Sequence, residues 1–160
     1  FIYGGAQERN MRGGTENVYG IIGLAKALEI AYRDMTDHRK HIQRLKDRMI
    51  SKLRNTIDGI AFNGESANAD KSLYTVLNAC LPESPDNDML LFTLDINGIS
   101  ASGGSACSSG ATKGSHVLEG INANPSRGAV RFSFSKYNTV EEIDYTVDQL
   151  VEFYQQAVHN

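Results

Sequence analysis

Two side chains in this sequence are out of place for a packed interior. Cys107 lies in Ser102-Gly-Gly-Ser-Ala-Cys-Ser-Ser-Gly110, a run too small and polar to form core. Cysteine is among the most buried residue types, so a thiol in such a run needs a reason. Either it is a nucleophile on a mobile tether or a linker happens to contain a thiol, and spacing alone leaves both open. Arg131 interrupts Val130-Arg-Phe-Ser-Phe-Ser135, an alternating strand pattern. Its planar fork binds carboxylates bidentately, which suits an amino acid; an Arg facing solvent from an uncovered sheet face fits equally well. Thr15 stands between two glycines and a helix start. Its hydroxyl, with the N–H groups of that helix end, would hold a phosphate, or it would simply cap the helix.

The remaining reactive groups read as structural. Cys80 sits in an apolar strand and is expected in the core. Two cysteines exclude a disulfide framework and a Cys-rich zinc site. His38 and His41 share a helix face, but no Glu or Cys completes a metal set there, and His116 and His159 stand apart. No metal site is expected. Lys113, in Ala-Thr-Lys-Gly-Ser, lacks the glycine spacing of a phosphate-binding loop.

The elements that must position these groups follow from periodicity and punctuation. Residues 1–14 have none and read as an extended arm or loop. Val18, Ile21, Ile22, Ala25, Leu28 and Tyr32 recur at helical spacing. A second helix is expected from Asp37, with Ile42, Leu45, Met49 and Leu53 inward, the pair forming an antiparallel hairpin. Short strands are expected at Ile60 to Phe62 and Ile99 to Ser102, and a longer one from Leu73 to Leu81, ended by Pro82 and Pro85. Asp86 or Asn87 caps a helix through Leu90, Leu91 and Leu94, which Asn97-Gly98 closes. Val117 to Ile121 reads as a helical turn. Gly128 to Ser135 is a strand with Val130, Phe132 and Phe134 on one face. Thr139 and Glu142 form a capping box before a last helix through Ile143, Val147, Leu150, Val151, Tyr154 and Val158. The order ααβ(β)αβαβα describes an α/β fold of the α+β sandwich kind, a small sheet covered by helices, in one domain over residues 15–160.

Composition limits the function classes. The 160 residues are 41% hydrophobic and 22% charged, with mean hydropathy -0.34. No apolar run approaches the ~20 residues of a membrane span, and Phe1 to Thr15 has no signal-peptide character. A soluble, cytoplasmic protein is expected, and the absence of an initiator Met suggests a fragment. Residues 1–55 carry 11 Lys and Arg against 6 Asp and Glu, whereas residues 56–160 carry 5 against 13. The cations Arg39, Lys40, Arg44, Lys46, Arg48, Lys52 and Arg54 share one helix and read as a solvated face. No nucleic-acid-binding signature accompanies them, so no nucleic-acid partner is expected.

Three stretches together resemble the pyridoxal-phosphate cysteine desulfurases of the NifS/IscS type. Gly4-Gly-Ala-Gln-Glu-Arg-Asn-Met-Arg-Gly-Gly-Thr-Glu-Asn-Val18 is similar to the family's GGxQExxxRxGTEN segment. Ser100 to Gly110 resembles its active-cysteine loop, and Val130-Arg-Phe-Ser with Thr139 to Asp144 resembles its carboxylate-binding strand and final helix. The resemblance implies the C-terminal domain of a fold-type I pyridoxal-phosphate enzyme. It implies a persulfide-forming nucleophile at Cys107, a substrate-carboxylate clamp at Arg131 and a contact from Thr15 to the cofactor phosphate across a homodimer. Gly103, Gly104 and Gly110 would give the thiol its mobility, and Gly103 to Gly114 is expected to be the least ordered stretch. L-cysteine would be the substrate, and a sulfur-acceptor or iron–sulfur scaffold protein the partner, with Cys107 a transient iron–sulfur ligand. The family's Schiff-base lysine, ring-stacking His and pyridinium-pairing Asp match no residue here, so this chain alone is expected to bind the cofactor poorly and be inactive. A selenocysteine lyase or related class V enzyme, or a cofactor-free sulfur carrier, is the alternative.

Overall fold

The computed structural model describes residues 2–103 and 115–157. Cys107 and Lys113, the expected disorder of their segment, and Val158 and His159 lie outside the described residues. The chain divides into two compact units, residues 1–37 and 38–160.

In the first unit the arm folds on itself. Ile2 and Arg12 form a parallel bridge, and the Gly13 amide donates to the Ile2 carbonyl at 2.8 Å. Only glycine fits this crossing, because a Cβ on Gly13 would sit 2.5 Å from the Gly4 Cα. Asn17 Oδ1 accepts the Gly20 amide at 3.0 Å and so caps helix α1 (Val18–Thr56). Thr15, the other cap candidate, lies three residues before the helix and leaves that role to Asn17.

Helix α1 corrects the expected hairpin: 39 residues run as one helix. Residues 33–38, Arg-Asp-Met-Thr-Asp-His, look polar enough for a turn but contain no Gly or Pro. Each keeps a donating N–H and an acceptable helical cost, so nothing stops propagation.

The second unit holds a three-stranded antiparallel sheet of β1 (Ala61–Phe62), β2 (Val76–Glu83) and β3 (Arg127–Ser133), in that spatial order. Strand β2 continues through Pro82 rather than ending there. Its register against β3 shifts between Cys80 and Glu83, and at such an irregularity a residue without an N–H is tolerated. The expected strand at Ile99 to Ser102 is reduced to one bridge, Ser102 to Arg131. Helix α2 (Leu90–Ile96) follows a short 3-10 turn and ends at Asn97 and Gly98, the latter at φ 73°. Neither Asp86 nor Asn87 caps it by side chain. Asn87 instead donates to the Pro82 carbonyl and accepts from Tyr154 Oη at 2.6 Å. A five-residue helix, α3 (His116–Gly120), lies where a helical turn is expected.

Helix α4 (Val140–Ala157) starts on the expected capping box: the Glu142 amide donates to Thr139 Oγ1 at 3.2 Å, and the Thr139 amide to Glu142 Oε2 at 3.1 Å. Leu77, Ala79, Leu81, Val130 and Phe132 project from one face of the sheet. They form one core cluster with Leu45, Met49 and Leu53 of α1 and Val147 and Leu150 of α4. Among the described residues no helix is long and apolar enough to cross a membrane.

Candidate functional site

Strand alternation decides which residues line the sheet's second face. With Leu77, Ala79 and Leu81 inward, Asn78 and Cys80 project the other way, as do Ala129 and Arg131 when Val130 and Phe132 face the core. Register pairs Asn78 with Arg131 and Cys80 with Ala129. Cys80 is buried, as its apolar strand suggests, and is a free thiol.

Arg131 is half-buried and held from one side. Its backbone N–H donates to the Ser102 carbonyl at 2.6 Å, and the Ser102 N–H returns a bond to the Arg131 carbonyl at 3.1 Å. The Arg131 Nε donates to Ser102 Oγ at 3.1 Å. Among the described residues its two terminal nitrogens have no hydrogen bond or ion pair, so the fork is open to an anion. Asn78 is engaged elsewhere, its Oδ1 accepting from Asn63 Nδ2 at 2.9 Å.

A groove of about 1720 Å³ opens beside this face. Asn63, Cys80, Leu91, Arg127 and Ala129 line it, together with Gly103 and Ser115, the two described residues that flank the Cys107 segment. Gly103 is therefore a packing position rather than a piece of mobile tether: a Cβ there would lie 2.7 Å from Leu91 Cδ1 and 3.2 Å from the Ala129 carbonyl. Arg127, which sequence reasoning did not single out, donates to the carbonyls of Leu81, Cys80 and Gly59. It braces the irregular end of β2 through Nε and Nη2. Its sequence signal is weak, because any Arg at a strand start looks solvent-facing. Burial holds the Tyr154 hydroxyl well above the usual phenol range, so it stays a neutral donor to Asn87.

Thr15 belongs to the first unit, is exposed, and makes no side-chain hydrogen bond among the described residues. An unpartnered hydroxyl near a helix start suits a phosphate. Among the described residues no lysine lines the groove. Toward pyridoxal phosphate the described residues thus offer one free hydroxyl, that of Thr15, and no groove amine. Among them, no group of three His, Cys, Asp or Glu could hold a metal. His41 is used structurally: Nε2 donates to the Asn138 carbonyl at 3.0 Å, and Nδ1 faces Arg44 Nη2 at 3.3 Å.

The basic helix face is mostly solvated as expected, with Arg39, Lys40, Arg44, Arg48 and Arg54 exposed, and the exceptions are Lys46 and the half-buried Lys52. Lys46 is fully buried, and Arg48 and Lys52 pair with Asp144 of α4. Arg39 and Arg54 lie over the rings of Tyr74 and Phe62. Long side chains with apolar stems pack readily, which a count of charges does not reveal.

Residues 4–146 match the aminotransferase class-V family. The chain is 37% identical over 151 residues to the cysteine desulfurase IscS of Dictyoglomus turgidum, covering 93% of this chain and 37% of that protein. It is 38% identical over 149 residues to a cysteine desulfurase of Gluconacetobacter diazotrophicus, covering 92% and 36%. A solved NifS-like protein superposes with TM-score 0.73 at 33% identity, over 96% of this chain and 38% of that one. A NifS-like protein from Rickettsia africae gives TM-score 0.73 at 25% identity, over 96% and 39%. The chain therefore spans a little over a third of the length of these relatives.

Proposed function

Because the chain belongs to the aminotransferase class-V family, we propose that it is the thiol- and carboxylate-bearing part of a pyridoxal-phosphate-dependent cysteine desulfurase. The cofactor, when bound, supplies the electron sink that allows a carbon–sulfur bond of L-cysteine to break. The chain's own residues bind and attack. Arg131 takes the substrate carboxylate on its two open nitrogens. Thr15 takes the cofactor phosphate of the neighbouring subunit in a homodimer. Cys107, as thiolate, attacks the substrate sulfur. One sulfur atom moves: the Cys107 S–S bond forms as the substrate Cβ–S bond breaks, and a proton replaces sulfur on Cβ. The products are L-alanine and a persulfide on Cys107. A cytoplasmic sulfur-acceptor or iron–sulfur scaffold protein would take that sulfur, with Cys107 its transient iron–sulfur ligand.

The tie between Arg131 and Ser102 is the observation that supports this reading best. Cys107 follows Ser102 by five residues, so fully extended chain places it no more than ~18 Å from the pair. A carboxylate clamp and a thiol tethered within that reach of it suit a small amino acid carrying sulfur.

The test is alanine formation from L-cysteine by this chain joined to the amino-terminal, lysine-bearing half of an IscS relative. One alanine and one persulfide per chain are expected in a single turnover without reductant, both lost on Cys107→Ala. Undiminished alanine formation by Cys107→Ala would overturn the proposal. Persulfide accepted only from another enzyme would favour a sulfur carrier.

A further inference from the structure

We propose that Ser102 is a positioning residue that aims the Arg131 guanidinium, an inference that rests on Arg131 being the carboxylate clamp. The two residues exchange both backbone hydrogen bonds, Arg131 N–H to Ser102 O at 2.6 Å and Ser102 N–H to Arg131 O at 3.1 Å. In an antiparallel pair this arrangement sets the residues directly opposite, with both side chains on one face. The short Ser side chain then lies beside the first half of the Arg side chain. Its hydroxyl accepts from Arg131 Nε at 3.1 Å and points its own proton toward the Arg131 carbonyl, 3.5 Å away. A hydroxyl has one proton to give, so this orientation leaves a lone pair facing Nε.

The consequence is selective. A guanidinium binds a carboxylate bidentately either through its two terminal nitrogens or through Nε and one of them. Occupying Nε removes the second mode and leaves the two-terminal fork as the only bidentate one. It also fixes the last torsions of a side chain that otherwise samples many rotamers, so less entropy is lost when a carboxylate docks. No other side chain among the described residues bonds to this guanidinium. Asn78, its register partner on β2, is turned to Asn63. Ser102 therefore does by itself what a carboxylate usually does for a clamping arginine, without neutralising the charge that the ligand needs.

The test uses the 160-residue chain and the variants Ser102→Thr and Ser102→Val, which are nearly isosteric and suit an extended backbone alike. Arginine Nε–H resonances are followed by nitrogen-resolved NMR, the Arg131 signal being identified by its loss in Arg131→Lys. Exchange of that proton with water should be about tenfold slower in wild type and Ser102→Thr than in Ser102→Val, as expected for loss of one hydrogen bond. Titration with L-alanine, a carboxylate without a reactive thiol, should show weaker binding by Ser102→Val and rescue by Ser102→Thr. Equal Nε–H exchange in the Thr and Val variants overturns the proposal. If Arg131→Lys binds L-alanine as wild type does, the clamp reading fails instead, and the exchange rates still decide whether Ser102 holds Arg131.

Discussion

The two halves of α1 are one helix with one apolar period and opposite fates. In residues 38–56, Ile42, Leu45, Met49, Ile50 and Leu53 are at most 6% exposed. In residues 18–37, Ile22, Leu24, Leu28 and Tyr32 are 55–72% exposed. Ion pairs divide in the same way. Lys26–Glu29 and Arg33–Asp34 stay within the helix, whereas Arg48 and Lys52 reach across to Asp144 and Asp148 of α4. Amphipathic spacing thus specifies a helix and a face, and says nothing about what covers that face. Within its own unit the second half packs into one core cluster with the sheet and α4.

The largest test of this contrast is truncation of matched leucines. Leu53→Ala removes a side chain with no exposed surface and should cost about 2–5 kcal/mol in urea unfolding of the 160-residue chain. Leu28→Ala, 55% exposed, should stay within about 0.5 kcal/mol. Equal losses would mean that the first half is covered in solution and that the contrast is not intrinsic to the chain.

A smaller effect comes from Lys46, the one cation of the basic run that is wholly buried. Its ammonium donates to Ser72 Oγ and the Leu73 carbonyl, each at 2.8 Å, with no carboxylate in contact. Ser72 Oγ in turn donates its one proton to the Asn68 carbonyl at 2.6 Å, with the Ser66 carbonyl 3.1 Å away, so one amine anchors the loop between β1 and β2 to α1. Burial lowers the Lys46 pKa from its ordinary 10.5. Between the lowered value and 10.5 the unfolded chain binds more protons than the folded one, so stability rises with pH, by at most about 1.4 kcal/mol per unit. Wild type should therefore gain stability relative to Lys46→Met as pH is raised toward 10.5. Parallel urea midpoints for the two proteins across that range would sink the assignment.

What could be read in advance follows the range of the interaction responsible. The Thr139–Glu142 box, the alternation around Val130 and the stop at Asn97-Gly98 are local, and the structure has all three. The continuous α1 was missed because a polar stretch from Arg33 to His38 resembles a turn when only hydrophobicity is read. The absence of Gly and Pro there was the better signal. Burial of Lys46 and the carbonyl bracing by Arg127 depend on residues tens of positions away, which periodicity does not sense. Arg131, the proposed clamp, stood out by type. Its aiming partner did not, because the pairing of Ser102 with Arg131 is a long-range bridge.

The smallest effect separates the two kinds of ion pair. Arg48 donates to both carboxylate oxygens of Asp144, and Lys52 approaches the same group at 3.2 Å. The bond from Arg48, opposed by partial desolvation and aided by Lys52, lowers the Asp144 pKa from 3.8 to about 2. A carboxyl whose folded pKa is depressed contributes stability above its unfolded pKa and loses it as pH falls. The contribution of Asp144 is thus full above about pH 4 and gone below about pH 2. Asp144→Asn should lower the unfolding midpoint modestly at neutral pH, converge with wild type near pH 2, and show a smaller difference in high salt. Glu29→Gln, which breaks a pair confined to one exposed stretch of α1, should leave the midpoint unchanged at every pH. A persistent gap between Asp144→Asn and wild type at pH 2 would assign its effect to packing. A Glu29→Gln loss equal to that of Asp144→Asn would remove the distinction between the pair that ties α1 to α4 and the pair within one exposed turn of α1.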